Sequence, residues 1–460
     1  MSGAAFFDLD RTLLKGASGP LLTQALVDAG VLPDRHYPGE GLVYRFYELA
    51  GETLVGMALA RQVANVFSGI DPEAVRAAAK VAADELSDHV LPYVHPLVDE
   101  HHREGRKVVL ATTTPYDLVA PFAEKLGFDD VVATRYVIED GRYTGALDGN
   151  FVWFLGKLDA VRKWAGAHGV SVGDSWAYSD SVYDAPLLSA VAHPFAVNPD
   201  PRLRVLAVAR RWPVLFLDVP PGVPKLLGVE PFDVVRLLAR PEAFPFARFD
   251  IDGVDNIPSD GPAIVVANHR SYFDTVAIGL TVARAGRPVR FLGKKEVFDA
   301  PVVGQLARAL GGIRVERGSG SDRPLIEAER ALRAGDLVAL MPQGTIPRGR
   351  AFFDTELRGR PGAARLADAT GAPIVPIGLW GSEQVWPRSA RVPNVTNVVH
   401  PPTVRVRVGS PFRVLGTDVA ANTARIMSAI SELLPPEAHE AREPTSEELA
   451  RSVPPGHTVE

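Results

Sequence analysis

Short, unbroken apolar runs punctuate the first half of the chain at Ala4–Leu9, Lys107–Ala111, Asp130–Thr134 and Ser175–Ser179, with stretches of helical periodicity between them. Runs of this length predict strands covered on both faces, and the helical stretches predict βαβ crossovers in a parallel sheet. Between the first two runs an Ala-rich, helically patterned stretch extends from about Leu14 to His89. It is too long for a crossover, which predicts a helical cap over about residues 14–92. Strand-like runs return at Ala263–Ala267, Val289–Leu292, Val338–Met341, Ile374–Gly378 and Val404–Val408. The fold expected is therefore α/β: a Rossmann-like parallel-sheet domain with a helical cap, followed by a second α/β domain.

Seven prolines between Pro213 and Pro245 break regular structure and mark the boundary. They divide the chain into a first domain at 1–218, a connector at 219–245 that is a candidate for membrane contact, and a second domain at 246–435. Residues 436–460 are rich in Glu, Pro and Ser and poor in large apolar side chains, so a frayed tail is expected. A length of 460 residues suits two such domains.

Composition narrows the chemistry. The chain has no Cys, which removes thiol catalysis, disulfides and Cys-based zinc sites. A net charge of -6 gives no general attraction for nucleic acid. Asp8, Asp10 and Arg11 interrupt the early apolar run, which does not read as a secretory leader, and no run of 18 apolar residues offers a spanning helix. The expected location is cytoplasmic, with peripheral contact at the inner face of the cell membrane.

The first strand ends in Asp8-Leu9-Asp10, a spacing that sends both carboxylates to one face, where one can attack while the other moves a proton. Thr112 closes a second strand with a hydroxyl, Lys157 supplies an ammonium, and Asp180 and Asp184 follow another strand. Strand ends of an open parallel sheet gather at one edge, so these distant residues can converge. In that order, Asp8-x-Asp10-x-Thr12, Thr112, Lys157 and Asp180-x-x-x-Asp184 resemble the haloacid dehalogenase superfamily, in its phosphoserine phosphatase-like branch. The resemblance implies that Asp8 is the nucleophile and Asp10 the acid and then the base, and that Thr112 and Lys157 hold phosphate. It also implies Mg2+ held by the Asp8, Asp10, Asp180 and Asp184 set.

In the second half, Asn268-His269-Arg270-Ser271-Tyr272-Phe273-Asp274 joins an apolar strand to an apolar helical stretch. An Asp five residues after the His can fix one ring nitrogen and leave the other as a base, with the acceptor's own hydroxyl as attacker. Gly312-Ile313-Arg314-Val315-Glu316-Arg317, Met341-Pro342-Gln343-Gly344-Thr345 and Ile374-Val375-Pro376-Ile377-Gly378 follow in order. Together these blocks resemble the glycerolipid acyltransferases, most closely the 1-acylglycerol-3-phosphate acyltransferases. The resemblance implies His269 as base and Asp274 as its partner, with Arg317, Gly344 and Thr345 at the acceptor's phosphate. It implies acyl-CoA or acyl carrier protein as donor. Two positions depart from the family pattern: Gln343 stands for a Glu, and Ile346 for an Arg, whose place Arg348 or Arg350 can take.

From Arg284 to Arg323 nine basic residues face four acids, a local excess suited to phosphate, coenzyme A or an anionic membrane. Arg236–Arg240 with Phe244 and Phe246, and Val205–Leu217, mix basic, aromatic and apolar residues; an interfacial anchor and interdomain packing both give this pattern. The expected whole is a lysophosphatidic acid acyltransferase of phospholipid synthesis fused to a Mg2+-dependent phosphomonoesterase. The alternative is an acyltransferase for glycerol 3-phosphate or a glycosylated lipid, with a non-catalytic first domain.

Overall fold

The computed structural model describes residues 2–33, 61, 64–225, 229–301, 303–316, 323–414 and 416–456, so residues 34–60 and 62–63 of the expected cap lie outside the described residues. The chain divides into two compact units, Met1–Pro221 and Gly222–Glu460.

In the first unit the strands are β1 (Ala5–Phe7), β2 (Val108–Pro115), β3 (Asp130–Thr134), β4 (Tyr136–Glu139), β5 (Arg142–Leu147), β6 (Trp176–Ser179), β7 (His193–Val197) and β8 (Val214–Leu215). Six of them form one parallel sheet in the order β3-β2-β1-β6-β7-β8. The chain leaves β1 toward one edge and later returns to its other side, so β1 is the topological switch point, where ligands bind beyond the strand ends in such sheets. β4 and β5 form a separate antiparallel hairpin. The described part of the expected cap includes helices Gly19–Asp28 and Pro72–Asp88. The second starts at Asp71, whose carboxylate accepts from Glu73 N–H, and buries a stripe of Val75, Ala78, Ala79, Ala82, Ala83 and Leu86.

Beneath β1 lies a buried polar chain. Arg106 Nε donates to His101 Nδ1 at 2.7 Å, which leaves Nε2–H of the ring to donate to the Tyr178 hydroxyl at 2.9 Å. Burial, reinforced by the Arg106 charge and only partly offset by Glu104, pulls the His101 imidazole down from 6.5 to about 4. Folding with a neutral ring is favourable above pH 6.5, and that contribution is lost as pH falls from there to about 4. It amounts to roughly 3 kcal/mol. Urea unfolding at pH 7 and pH 4.5 should therefore show a larger stability loss in the parent than in His101→Gln, which cannot titrate. Equal losses would remove His101 as the cause.

The second unit contains β9 (Arg248–Asp252), β10 (Ala263–Ala267), β11 (Val289–Lys294), β12 (Ile313–Val315), β13 (Leu337–Leu340), β14 (Ile374–Trp380) and β15 (Thr403–Val408). Their order is β12-β11-β13-β10-β14-β15-β9, parallel except for the β14–β15 pair. Alternate residues of β10 enter two cores: Ala263, Val265 and Ala267 pack with Ala277, Ile278 and Val282, while Ile264 and Val266 pack with Ala363, Ala367, Ile426 and Ile430. Both faces are thus covered, which explains the purely apolar run in the sequence.

Three sequence expectations change here. Phe244 and Phe246 pack around Phe273 in the core of their own unit, with ring centroids 6.1 and 6.2 Å from it, so packing within the unit accounts for them. The basic excess of residues 284–323 is largely consumed structurally. Arg287 donates to the carbonyls of Pro258, Gly261 and Gly335, Arg290 to Gly311 and Arg308 to Phe298, while Lys295 and Arg314 pair with Glu316. The supposed frayed tail is docked as far as Val453: Gly349 N–H donates to Ser452 Oγ at 3.0 Å and Val453 is buried. Helix Ser446–Arg451 is capped reciprocally by Thr445 and Glu448, a local arrangement that offsets the tail's poor composition. No helix among the described residues is long and apolar enough to cross a membrane.

Candidate active sites

At the switch point of the first unit, Asp8 follows β1 directly, and its N–H donates to Tyr178 O on β6. Lys157 is almost wholly buried and donates to Asp8 Oδ1 at 2.8 Å and Asp184 Oδ2 at 2.7 Å. One ammonium between two carboxylates draws together residues from three parts of the chain. Ser179 Oγ donates to the same Asp184 oxygen at 2.7 Å. Thr12 Oγ1 donates to Asp8 Oδ2 at 3.3 Å and accepts from Asp180 N–H at 3.0 Å, tying the loops after β1 and β6. Thr112 lies on β2, two residues past the Phe7–Leu110 register pair, and its hydroxyl accepts from Thr114 N–H.

Asp10 and Asp180, the other two expected metal ligands, each have a further partner in this structure. Asp10 Oδ1 accepts from Ser18 N–H at 2.5 Å, at the open start of helix Gly19–Asp28, where an unpaired amide and the helix dipole favour a carboxylate. Asp180 pairs with Arg11 Nε at 3.2 Å, brought there by a left-handed backbone at Arg11, φ +60°. Among the described residues, no three His, Asp or Glu side chains are grouped to hold a metal. Asp8 and Asp184 nevertheless fit a hard divalent cation, because Asp184 Oδ1 is buried with no hydrogen-bond partner, and such a bare oxygen is costly unless paired. Burial pushes the Asp10 carboxyl above its ordinary value, although the Ser18 amide opposes this. A carboxyl that keeps its proton longer is suited to giving it to a leaving group.

The second site sits beyond β10. Asn268 prolongs the sheet with its side chain: Oδ1 accepts from Leu379 N–H at 2.7 Å and Nδ2 donates to Leu379 O at 2.9 Å. His269 is thereby set at the strand's end. Its Nδ1 lies 2.8 Å from Asp274 Oδ2. The same oxygen accepts from Arg270 N–H at 2.7 Å and Ser271 N–H at 2.8 Å, and Ser382 Oγ donates to Oδ1 at 2.5 Å. A fully buried carboxylate with four donors at the first turn of helix Asp274–Arg284 is fixed in place. It can only accept, so Nδ1 carries the proton and Nε2 is left as the base. His269 itself is only partly buried.

The departures at Gln343 and Ile346 have visible consequences. Gln343 Oε1 accepts from His269 N–H at 2.6 Å, so the position works as an acceptor without needing a charge. Ile346 is buried, and its carbonyl and that of Pro347 accept from the buried Arg388. Arg350 is tied to Glu443 at 2.9 Å, and Arg348 is exposed. A different cation stands at the Gly344-Thr345 turn: Gly344 has φ +73°, and a Cβ there would lie 3.0 Å from Arg360 Nε. Only glycine allows both the left-handed turn and this approach. Arg360, 16 residues after Gly344, carried no signal in the block pattern. Neither did Ser382, although Asn268 and Ser271 adjoin the His–Asp motif. Arg317 lies outside the described residues.

Residues 5–189 match the family of haloacid dehalogenase-like hydrolases, and residues 248–380 match the acyltransferase family. The inhibition of morphological differentiation protein of Streptomyces azureus is 35% identical over 218 residues, covering 46% of this chain and 77% of that protein. The chain belongs to the haloacid dehalogenase-like hydrolases. Its second half adds an acyltransferase domain. Within the hydrolase half, the phosphoserine phosphatase SerB1 of Mycobacterium tuberculosis is 34% identical, over 46% of this chain and 70% of that one. A solved structure of the 1-acyl-sn-glycerophosphate acyltransferase of Thermotoga maritima shares 24% identity over 43% of this chain and 78% of that chain, at a TM-score of 0.33.

Proposed function

We propose that this hydrolase–acyltransferase is bifunctional: a 1-acylglycerol-3-phosphate O-acyltransferase joined to a Mg2+-dependent phosphomonoesterase. The observation that carries the first activity is the Asp274 carboxylate, saturated by four donors, which leaves His269 Nε2 as the one ring nitrogen able to take a proton. The acceptor's hydroxyl gives its proton to Nε2 as its oxygen attacks the thioester carbonyl, and the thiol of coenzyme A or acyl carrier protein leaves. The lysophospholipid's phosphate is received at the Gly344-Thr345 turn, with Arg360 and Arg317 as cations. Work on a lipid acceptor places the protein at the inner face of the cell membrane as a peripheral protein. The altered third block favours one second reading, an acceptor other than lysophosphatidic acid, such as glycerol 3-phosphate or a glycosylated lipid.

In the other unit, Asp8 attacks phosphorus and Asp10 protonates the departing alcohol; Asp10 then takes a proton from the water that releases phosphate from Asp8. Lys157 and Thr112 hold phosphate oxygens. A Mg2+ ion would be held by Asp8 and Asp184, and when bound it supplies charge neutralisation for the phosphoryl oxygens. Purified protein should be offered a panel of lysolipids with acyl-CoA and acyl carrier protein donors, and separately an aryl phosphate with Mg2+. Failure to acylate any lysolipid would sink the first assignment, and Mg2+-independent or absent hydrolysis the second.

Arg360→Ala should raise KM for a phosphate-bearing acceptor by about tenfold to a hundredfold, the equivalent of about 1.5–3 kcal/mol for a charge-assisted contact. KM for the donor should hardly change, and Arg360→Lys should recover part of the loss. Equal effects on donor and acceptor would argue for a structural role instead.

A further inference from the structure

A charged side chain next to the base is turned to structure. Arg270 follows His269 directly, yet its side chain is only 14% exposed. Its guanidinium packs over two aromatic rings, 4.0 Å from the Trp380 centroid and 4.4 Å from the Phe352 centroid. Nη2 donates to Glu383 Oε1 at 3.0 Å. Arginine suits this place, because a planar, weakly hydrated cation is attracted to ring faces and still offers its fork to a carboxylate. Such a pair is a poor source of stability, since desolvation consumes most of the attraction; fixing one arrangement is its better use.

The arrangement it fixes is the turn that carries the base. Arg270 N–H donates to Asp274 Oδ2 at 2.7 Å, the same oxygen that His269 Nδ1 meets at 2.8 Å. One peptide thus joins the base to a donor for its partner. Two segments distant in sequence hold Arg270. Trp380, Ser382 and Glu383 fall within four residues at the end of β14: the ring and the carboxylate grip Arg270, and Ser382 Oγ donates to Asp274 Oδ1. Gly381 shapes this turn, with φ +87° and no room for a Cβ, which would lie 2.2 Å from Thr403 O. Phe352 is buried in the short turn Gly349–Phe353, whose first N–H is held by Ser452 Oγ. Glu383 and Ser452 lie beyond the residues that match the acyltransferase family.

We propose that Arg270 is a positioning residue for the His269 base: gripped by Trp380, Phe352 and Glu383, it locks the peptide that joins His269 to the donor for Asp274, and so keeps Nδ1 on Asp274 and Nε2 free. That Nε2 serves as a base rests on the acyltransferase reading above; the locked ring does not. Arg270→Met keeps an unbranched stem and removes the guanidinium. In the full-length protein, with oleoyl-CoA and oleoyl lysophosphatidic acid, kcat should fall roughly tenfold to a hundredfold, the range that a misplaced reacting group costs, with both KM values nearly unchanged. Arg270→Lys, which keeps the charge for Glu383 but not the plane, should recover part of the rate. Phe352→Leu should lower kcat alone and add little to Arg270→Met, because the two act through one contact.

A second readout needs no turnover. Ring-nitrogen NMR shifts of isotope-labelled histidine, recorded above the titration of the imidazole, report which nitrogen carries the proton; the His269 signals are assigned by their loss in His269→Gln. The proton should sit on Nδ1 alone in the parent and be shared between Nδ1 and Nε2 in Arg270→Met. Circular dichroism checks the fold of each variant, and if Arg270→Met does not fold, Arg270→Lys and Phe352→Leu carry both measurements. A folded variant with the parent's kcat and an unmoved ring proton overturns the proposal. So does a raised KM for lysophosphatidic acid at unchanged kcat, which would make Arg270 a ligand of the acceptor. A shared ring proton in Arg270→Met, in a protein whose parent acylates no lysolipid, would overturn the acyltransferase reading and support the positioning role.

Discussion

Alanine at His269 is expected to lower acyl transfer by about a hundredfold to ten-thousandfold, the usual worth of a general base. The protein should remain folded, for a reason written in the hydrogen bonds. Removing the imidazole deletes one of four donors to Asp274, but Arg270 N–H, Ser271 N–H and Ser382 Oγ remain, so no bare buried charge is left behind. Asp274→Asn is a less clean probe, because its amide would turn donors toward backbone N–H groups that need an acceptor. Steady-state rates with saturating donor and acceptor, alongside circular dichroism, decide the matter. A drop in kcat with KM nearly unchanged fits a base that acts in the transition state. A folded His269→Ala protein that acylates at the parent's rate would end the assignment.

Much of this was legible before any coordinates. The apolar runs predicted β1, β3 and β6, and β10, β13, β14 and β15, to within about a residue or two at each end, while β2 runs on four residues past its predicted end to Pro115. The Asp8 and His269 motifs sit at the ends of central strands because an unbroken apolar run and its polar terminus encode both facts together. What escaped was set by contacts distant in sequence. Arg360 reaches Gly344 through a backbone bond to Pro342, and nothing in the Gly-Thr block foretold it. Whether Arg348 or Arg350 could serve was likewise open until Glu443, from the supposed tail, was found holding Arg350. The docked tail does carry a local signal: Thr445-Ser-Glu-Glu448 is a capping-box pattern, which the polar composition of the surrounding 25 residues masks. Spacing places carboxylates on one edge, but it does not say which nearby cation or amide each will choose, and Arg11 and Ser18 claim Asp180 and Asp10.

Asp8→Asn should cut phosphate release by orders of magnitude while acyl transfer stays near the parent's rate. Asparagine keeps the shape of the side chain and an oxygen for Lys157, yet it lacks the negative oxygen that attacks phosphorus. The ammonium retains its second partner, Asp184, so the buried cation is not stranded and folding should survive. Chelation of Mg2+ supplies a parallel measurement: carboxylates gathered around phosphate need a cation, whereas a His–Asp pair does not. Aryl phosphate hydrolysis should therefore stop with chelator while acylation of a lysolipid continues. The separation follows from residues that fall in two sets, Asp8 to Asp184 on one sheet and His269 to Arg360 on another. If Asp8→Asn abolished acyl transfer in a protein that circular dichroism shows to be folded, the first unit would have to be treated as part of the acyltransferase machinery. If the parent released no phosphate from any ester, with or without Mg2+, the hydrolase half would be a binding or regulatory module for its neighbour.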